Sequence, residues 1–333
     1  MAERRWPWFA VLFATFLLWS NSFIAARILV GEEAPEALRV GPLGFVVVRF
    51  APVALVCWAW LLLLPAARRE AAWLLRHHGP LVVVLAALNV WGYNLPFAAG
   101  QHLVPPGTAS LIITLNPLFT LLLALLIGQE RFLPVRALGM LVAFFGVYQV
   151  VVHGAGRAVT GAYVGDALVL ATAPLSWALY TVLGKRLLGA ASPLTLTYLA
   201  LGLGSLPALG LAAVDSGLQA RVGSWGAERW GAALFLGLGC SVVGYALWFL
   251  ALRHLQASTV AAFVFLNPPL TLVFEWLWFG RVPSWGLLAG GVLVLAGVGL
   301  CLAPGYQRGA RRSSSTSAAA GSGRAKRYPW ASS

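Results

Sequence analysis

The chain has 333 residues, of which 60% are hydrophobic and 10% are charged, and its formal net charge is +13. Because a soluble domain carries about 25% charged residues, this composition excludes a soluble protein and predicts an integral membrane protein with little mass outside the bilayer. The basic residues are scattered between apolar runs and in the C-terminal tail, so the charge indicates membrane orientation and argues against nucleic-acid binding.

Ten apolar segments are long enough to cross a bilayer, at about 20 residues each. They lie at residues 7–29, 43–65, 79–100, 107–128, 134–153, 165–184, 193–214, 230–252, 257–279 and 283–303. The first is longer than a signal-peptide core and is not followed by a small-residue cleavage site, so we interpret it as the first spanning helix. The predicted fold is an all-α polytopic membrane protein with ten transmembrane helices.

Both termini lie on one side of the membrane if the number of spans is even. With the N-terminus in the cytoplasm, sixteen Lys and Arg residues fall on the inner side and five on the outer side. Arg27 and Arg49 lie in or at helices and are counted on neither side. The inner excess predicts a multi-pass protein of the cell membrane with both termini in the cytoplasm.

The chain repeats itself. Residues 92–103 align with residues 244–255 at an offset of 152, and 7 of these 12 positions are identical. At an offset of 151, Asn116-Pro117 aligns with Asn267-Pro268. The same offset aligns Thr120 with Thr271, Gly139 with Gly290 and Gly146 with Gly297. Earlier in the chain, Trp19 aligns with Trp177 at an offset of 158.

These matches predict a first five-helix repeat at residues 7–153, a second at 165–303 and a disordered, basic, cytoplasmic tail at 304–333. Five is an odd number, so the second repeat enters the membrane upside down. Inverted repeats suit alternating access, because one half's outer gate corresponds to the other half's inner gate. Duplication that merely enlarged a helix bundle is the alternative.

The two Asn-Pro pairs each lie near the middle of an apolar segment. Proline has no amide hydrogen, so the carbonyl one turn earlier, at Ile113 or Val264, loses its helical partner. In hydrocarbon such a carbonyl needs an internal partner or a wet cavity. Interrupted helices at corresponding positions of two halves point to a transporter's midplane site, whereas a packing kink is the alternative at either position alone.

Several short motifs together resemble one transporter family. They are Leu18-Trp19-Ser20-Asn21-Ser22-Phe23, Arg49-Phe50, residues 108–117 with Gly128-Gln129-Glu130-Arg131 and Gly139, and Ser176-Trp177-Ala178-Leu179-Tyr180. As a set they resemble the EamA-type, ten-helix branch of the drug/metabolite transporter (DMT) superfamily, over about residues 8–303. The resemblance implies a small-metabolite permease, often an exporter, without naming its substrate.

Three positions depart from the patterns of that superfamily. Ser20 stands where the first-helix motif usually has Gly, and Gly280-Arg281 replaces the usual Gly-Glu after the ninth helix. The small multidrug branch couples protons through a Glu in its first helix, and the first helix here has none. A coupling proton would therefore need a different carrier.

Arg49 and Glu275 lie deeper inside apolar segments than the other charged residues, which are near segment ends. Charges in such positions are expensive and are functional candidates by default. Arg49 lies about 10 Å inside the outer boundary of the second helix, and Glu275 about 6 Å inside that of the ninth. Their similar depths allow an ion pair that fixes two helices. Alternatively, Arg49 faces a substrate carboxylate or phosphate, and Glu275 carries a coupling proton. Asn267, Thr271 and Glu275, spaced i, i+4, i+8, share one helix face.

The candidates for the substrate path are ten residues that form five pairs matched across the repeat: Asn116, Pro117, Thr120, Asn267, Pro268, Thr271, Tyr93, Tyr245, Trp19 and Trp177. Other polar side chains suited to the same cavity are Asn21, Asn89, Asn94, Thr114, Tyr180 and Ser241. Ordinary packing and interhelical hydrogen bonding are the alternative for each of them.

The predicted function is a secondary transporter, and an exporter, of a small organic metabolite by alternating access. A non-transporting scaffold and an intramembrane enzyme or lipid-handling protein are the alternatives. The sequence contains no HExxH, GxSxG or Walker motif and no second carboxylate near Glu275, so we expect no enzyme and no ATP-driven pump. We also expect no cofactor and no metal, because Cys57, Cys240 and Cys301 lack ligand spacing. The expected partners are the substrate and the lipid bilayer, and a homodimer is left open.

Overall fold

The computed structural model describes residues 6–32, 34–126, 134–154, 160–184, 186–187, 191–254 and 263–301. The predicted tail at 304–333 lies outside these residues, as does the side chain of Pro117. Throughout the described part the regular structure is helical, without any β-strand. The chain is a polytopic, all-helical membrane protein, as its composition predicts.

The α-helices are numbered in chain order. They are α1 (Trp6–Val30), α2 (Pro42–Leu63), α3 (Pro65–Ala87), α4 (Tyr93–Gly100), α5 (Pro106–Ile113), α6 (Asn116–Leu126), α7 (Pro134–Gly154), α8 (Gly161–Gly184), α9 (Pro193–Val214), α10 (Ser216–Gly223), α11 (Ala227–Leu234), α12 (Gly244–His254), α13 (Asn267–Phe279) and α14 (Trp285–Cys301). Two π-helical segments, π1 (Leu88–Gly92) and π2 (Phe235–Val243), join α3 to α4 and α11 to α12.

The helix boundaries follow from local chemistry. Pro42, Pro65, Pro106 and Pro193 stand in the first turns of α2, α3, α5 and α9, where the missing amide hydrogen has no helical partner to lose. At the other end, α13 stops at Gly280, whose φ of 66° is left-handed. Glycine adopts this conformation without a steric penalty, so it ends the helix cleanly.

Six helical stretches of the described chain are long and apolar enough to span a membrane: Pro7–Val30, Pro42–Leu63, Pro65–Gly100, Gly161–Gly184, Pro193–Val214 and Ala227–Trp248. Three shorter apolar helices lie at Leu138–His153, Phe263–Phe279 and Trp285–Leu300. The remaining predicted span, 107–128, is divided between α5 and α6. The structure therefore shows a multi-pass membrane protein with six long apolar helices and several shorter ones.

Two predicted connections are helical in the structure. Residues 66–78, predicted as a loop, belong to α3, which runs from Pro65 through a kink at His78. The connection after α9 contains α10, in whose first turn the Leu218 amide donates to the side chain of the capping residue Asp215 at 2.9 Å. The prediction depended on apolar length, and both segments are too polar to be recognised by that criterion.

The helices α7 and α14 pack backbone to backbone along a row of glycines. A Cβ added to Gly297 would lie 2.6 Å from the carbonyl oxygen of Gly139, and one added to Gly146 would lie 2.9 Å from that of Gly290. Position 139 lies opposite 297 and 146 opposite 290, so the two helices run antiparallel. We call this contact the glycine seam.

Candidate functional site

An α-helix begins at the Asn of each Asn-Pro pair. In the first half, α5 ends at Ile113 and α6 begins at Asn116. In the second half, a 3₁₀ turn at Phe263–Leu266 precedes α13, which begins at Asn267. The predicted break is therefore confirmed in the first half, between two described helices. In the second half the α-helix begins at Asn267 after the 3₁₀ turn, and residues 255–262 lie outside the described part. The cause is the one inferred from the sequence, because proline cannot continue the hydrogen-bond ladder but is accepted in a first turn.

The side chains beside the two breaks make different contacts. The Ser20 hydroxyl donates to Asn267 Oδ1 at 2.9 Å, and the Thr271 hydroxyl donates to the Ser20 carbonyl at 3.2 Å. In the first half, the Thr120 hydroxyl donates to the carbonyl of Asn116 at 3.0 Å and to its Oδ1 at 3.3 Å, within one helix. Only the second break is thus tied to α1 by side-chain hydrogen bonds among the described residues.

The four aromatic candidates form one cluster. The ring centroids of Trp19 and Tyr245 are 5.7 Å apart, those of Tyr245 and Trp177 are 5.6 Å apart, and those of Trp177 and Tyr93 are 5.6 Å apart. The Trp177 and Tyr245 rings are stacked, with an interplanar angle of 23°. We call these four residues the aromatic cluster. They come from α1, α4, α8 and α12, so both halves of the chain contribute equally.

The two tyrosines of the aromatic cluster follow the two π-helical segments. Tyr93 begins α4 after π1, and Gly244-Tyr245 begins α12 after π2. A Cβ on Gly244 would lie 2.6 Å from Trp19 Nε1, and one on Gly92 would lie 3.1 Å from Ser176 Oγ. Gly244 therefore allows α1 to lie close to α12, and Gly92 allows α8 to lie close to π1. Matched π-helical segments often occur at functional sites, and the sequence analysis did not find them.

Asn89 lies in π1 and contacts the aromatic cluster. Its Oδ1 accepts a hydrogen bond from the Tyr245 hydroxyl at 3.2 Å. The Asn94 side chain donates to the Asn89 carbonyl at 2.9 Å. Asn89 is 1% exposed, and its Nδ2 has no hydrogen-bond partner among the described residues. A buried amide donor without a partner is uncommon and calls for an explanation.

Arg49 is buried in α2, and its partner is a neutral hydroxyl. Its Nε and Nη2 both donate to Ser241 Oγ at 3.2 Å. Ser241 belongs to π2, and Gly237 of the same segment lies so close that an added Cβ would be 2.5 Å from the Arg49 carbonyl oxygen. The suggested ion pair between Arg49 and Glu275 is wrong. A similar depth in the membrane fixes only one coordinate, and the two side chains point to different helices.

Glu275 instead joins α13 to the start of α5. Its Oε2 accepts a hydrogen bond from the Gly107 amide at 2.7 Å, and its Oε1 lies 3.5 Å from Nη1 of Arg281. A carboxylate at a helix N-terminus is favoured by the unpaired amides there and by the helix dipole. Arg281, which stands where the family pattern has Glu, therefore serves as the basic partner of Glu275. Asn267, Thr271 and Glu275 are all buried, as a shared helix face predicts.

One buried acid was missed by sequence analysis. Glu70 of α3 is 2% exposed. Its carboxylate accepts hydrogen bonds from the backbone amide of Ser192 and, at 2.8 Å, from the Ser192 hydroxyl. Ser192 caps α9, so Glu70 holds that helix end in place. Glu70 was not selected as a candidate because residues 66–78 were predicted to form a loop.

Two cavities border this region. One of about 630 Å³ has an apolar lining that includes Trp91, Gly92, Leu95 and Thr172. The other, of about 430 Å³, has a charged lining that includes Glu36, Arg39, His102, Asp166 and Arg221. The aromatic cluster itself lines neither cavity, because its rings pack against one another.

Comparison with known proteins places these features in a family context. The model of the EamA-like transporter family matches the chain twice, at residues 6–152 and at 165–303. An uncharacterized transporter of Archaeoglobus fulgidus is 29% identical, over 89% of this chain and 98% of its own. A probable terminal-alkyne amino-acid exporter of Streptantibioticus cattleyicolor is 31% identical, over 87% of this chain and 91% of its own.

A riboflavin transporter of Rhizobium johnstonii is 30% identical over 72% of this chain and 76% of its own. A crystal structure of a protein that is 20% identical superposes with a TM-score of 0.57, covering 87% of this chain and 94% of the other. At that identity the crystal structure supports the fold alone. The names of the three relatives describe transporters or exporters, and none of the three is named as an enzyme.

Proposed function

Since the chain belongs to the EamA-like transporter family, we propose that it is a secondary transporter that exports a small organic metabolite across the cell membrane by alternating access. The general role of transporter follows from the family. The direction, the mechanism and the small organic substrate are the proposal. Relatives named as an amino-acid exporter and a riboflavin transporter support a small organic substrate.

The observation that carries the proposal is the pair of matched helix breaks. Interrupted helices at corresponding positions of inverted halves are characteristic of a transporter's central site. We propose two five-helix repeats at residues 7–153 and 165–303, in opposite orientations, with ten spans and both termini in the cytoplasm. The antiparallel glycine seam between α7 and α14, the last helices of the two halves, supports this inverted relation.

Alternating access requires the two halves to separate on one side at a time. The aromatic cluster is shared by the halves, and its rings are in contact, so we propose that these contacts open and close during transport. Asn116, Pro117 and Thr120, with Asn267, Pro268 and Thr271, would supply the exposed backbone and side-chain polar groups of the path. The segments before the two prolines are the expected points of bending.

The proposal is tested by metabolite profiling in a bacterium. Cells expressing the wild type are compared with cells carrying an empty vector, an Asn267→Ala variant, or a Thr181→Ala control that changes a hydroxyl bonded within its own helix. One compound class should accumulate in the medium with the wild type and the control, and at least about tenfold less with Asn267→Ala. A folded wild type that changes neither efflux nor uptake of any compound would contradict transport.

A second variant distinguishes the transporter from the non-transporting scaffold. Pro117→Ala combined with Pro268→Ala restores two amide donors and allows continuous helices. Under the proposal the double variant folds but loses most of its flux, because the breaks allow the halves to bend. Undiminished flux would contradict the gating role of the breaks while leaving transport itself intact.

A further inference from the structure

Arg49 is a buried cation without a buried anion. Among the residues that the structure describes, its hydrogen bonds go to Ser241 alone, and no carboxylate lies within ion-pair distance. Its other described contacts are with uncharged rings, since Cζ lies 5.9 Å from the Phe45 ring centroid and 5.1 Å from that of Phe50. An uncompensated charge in a membrane interior is expensive and is usually paired. The site therefore lacks one negative charge.

A second donor belongs to Asn89, which contacts Tyr245. Nδ2 of Asn89 is buried and unpartnered, while Oδ1 of the same side chain is held by the Tyr245 hydroxyl. Because Oδ1 already has a partner, Nδ2 is the atom of the Asn89 amide that still needs one. Ser241, which holds Arg49, precedes Tyr245 by four residues, or about one helical turn. The Arg49 guanidinium and the unsatisfied Asn89 amide are thus both tied to the neighbourhood of one tyrosine, and both require an acceptor.

The same tyrosine belongs to the aromatic cluster. Tyr245 stacks on Trp177 and contacts Trp19 at its edge. Trp and Tyr rings offer flat apolar faces on which a planar group can stack. A ligand that reaches Arg49 would therefore place its uncharged part against these rings.

From this arrangement we infer that the transported compound is an organic carboxylate with a planar or aromatic body, bound through its carboxylate by Arg49 and Asn89. Guanidinium and amide donors match a carboxylate, which accepts several charge-assisted hydrogen bonds. One arginine balances one negative charge, whereas a phosphate monoester would bring about two. The inference depends on the proposed transport function, whose own test is the metabolite profile.

The test uses purified protein and pairs of probes that differ only in charge. Thermal unfolding is followed with indole-3-acetate against indole-3-acetamide, and with benzoate against benzamide. Each acid should raise the wild-type unfolding temperature more than its amide does. Arg49→Lys keeps a positive charge but loses the planar donor pair, so its half-saturating acid concentration should be at least about tenfold higher.

Two further variants complete the experiment. Arg49→Gln should lose the difference between acid and amide, and Arg76→Gln, which removes an exposed basic charge on α3, should keep it. Equal shifts, or no shift, with the acids and the amides on the wild type would overturn the assignment, whatever the variants do. Export of only neutral or cationic compounds in the metabolite profile would overturn it as well, while leaving the transport function standing.

Discussion

At the scale of single residues, Ser20 shows how one side chain makes the two halves unequal. Its hydroxyl and its carbonyl both bond to α13, through Asn267 and Thr271. The repeat aligns Ser20 with Ala178, which has no hydroxyl. The family pattern has Gly at the position of Ser20, and glycine has no hydroxyl with which to make this hydrogen bond. The bond holds α1 against the second helix break, and the first break has no equivalent interhelical bond among the residues that the structure describes.

Replacing Ser20 by Ala should destabilise the protein by about 0.5–1.5 kcal/mol, because interhelical hydrogen bonds in membranes have about that value. The measurement is thermal or denaturant unfolding in detergent. Thr15→Ala is the matched control, since the Thr15 hydroxyl bonds to Val11 within α1 itself. The flux of Ser20→Ala should differ from that of the wild type, because α1 is freed from α13. Identical stability of the two variants would argue against a specific tie between these helices.

For Glu275, a role in proton coupling and a role in anchoring α13 to α5 can be distinguished by experiment. Its contacts with the Gly107 amide and Arg281 favour anchoring. Glu275→Gln keeps the shape and one acceptor but removes the charge, so we expect a loss of stability of about 1–3 kcal/mol. Flux should keep its wild-type response to an imposed pH gradient. A folded Glu275→Gln protein that no longer responds to the gradient would instead assign the coupling proton to this carboxylate.

The sequence predicts some of these residues and not their partners, for a physical reason. The helical period is local, so the shared face of Asn267, Thr271 and Glu275 follows from spacing alone. The contacts with Ser20 and Gly107 join residues more than about 150 positions apart, and only packing decides them. Arg49 illustrates the limit, because membrane depth suggested Glu275 as its partner and the structure provides Ser241.

At the scale of elements, the glycines of the glycine seam could be identified from the sequence, whereas the π-helical segments could not. The glycines that face one another across α7 and α14 were visible as matched positions in the repeat. The π-helical segments were not visible, because one extra residue in a helical turn leaves the apolar pattern almost unchanged. The division of the fourth predicted span into α5 and α6 could be predicted only in part. Proline indicated the break, whereas apolar length alone suggested one continuous helix.

Adding a methyl group to the glycine seam should separate α7 from α14. Gly297→Ala places a Cβ against the backbone of Gly139 and Ala143, and overpacking of this kind costs about 1–3 kcal/mol. Gly299→Ala on the same helix is the control, because nothing lies within 4 Å of its added Cβ. Unfolding in detergent should show a lower midpoint for Gly297→Ala only. Equal midpoints for the two variants would contradict backbone contact at the seam.

At the scale of the whole molecule, the distribution of basic residues predicts orientation. Sixteen Lys and Arg residues against five favour the side of the termini as the cytoplasmic side. A green fluorescent protein fused after residue 333 should therefore fluoresce in a bacterium, and alkaline phosphatase fused there should be inactive. The same two reporters fused between residues 155 and 160, in the connection between α7 and α8, should give the reverse result. Active phosphatase at the C-terminus would contradict the proposed topology.

The glycine seam also has a consequence for how the protein can be produced. It joins the last helix of each half, α7 and α14, through backbone contacts that need no covalent link between the halves. Two polypeptides, divided between residues 154 and 161 and translated separately in one cell, therefore retain a complementary surface for each other. The connection between them is a tether that raises their effective concentration. A functional transporter should thus reassemble from two genes, each encoding one half.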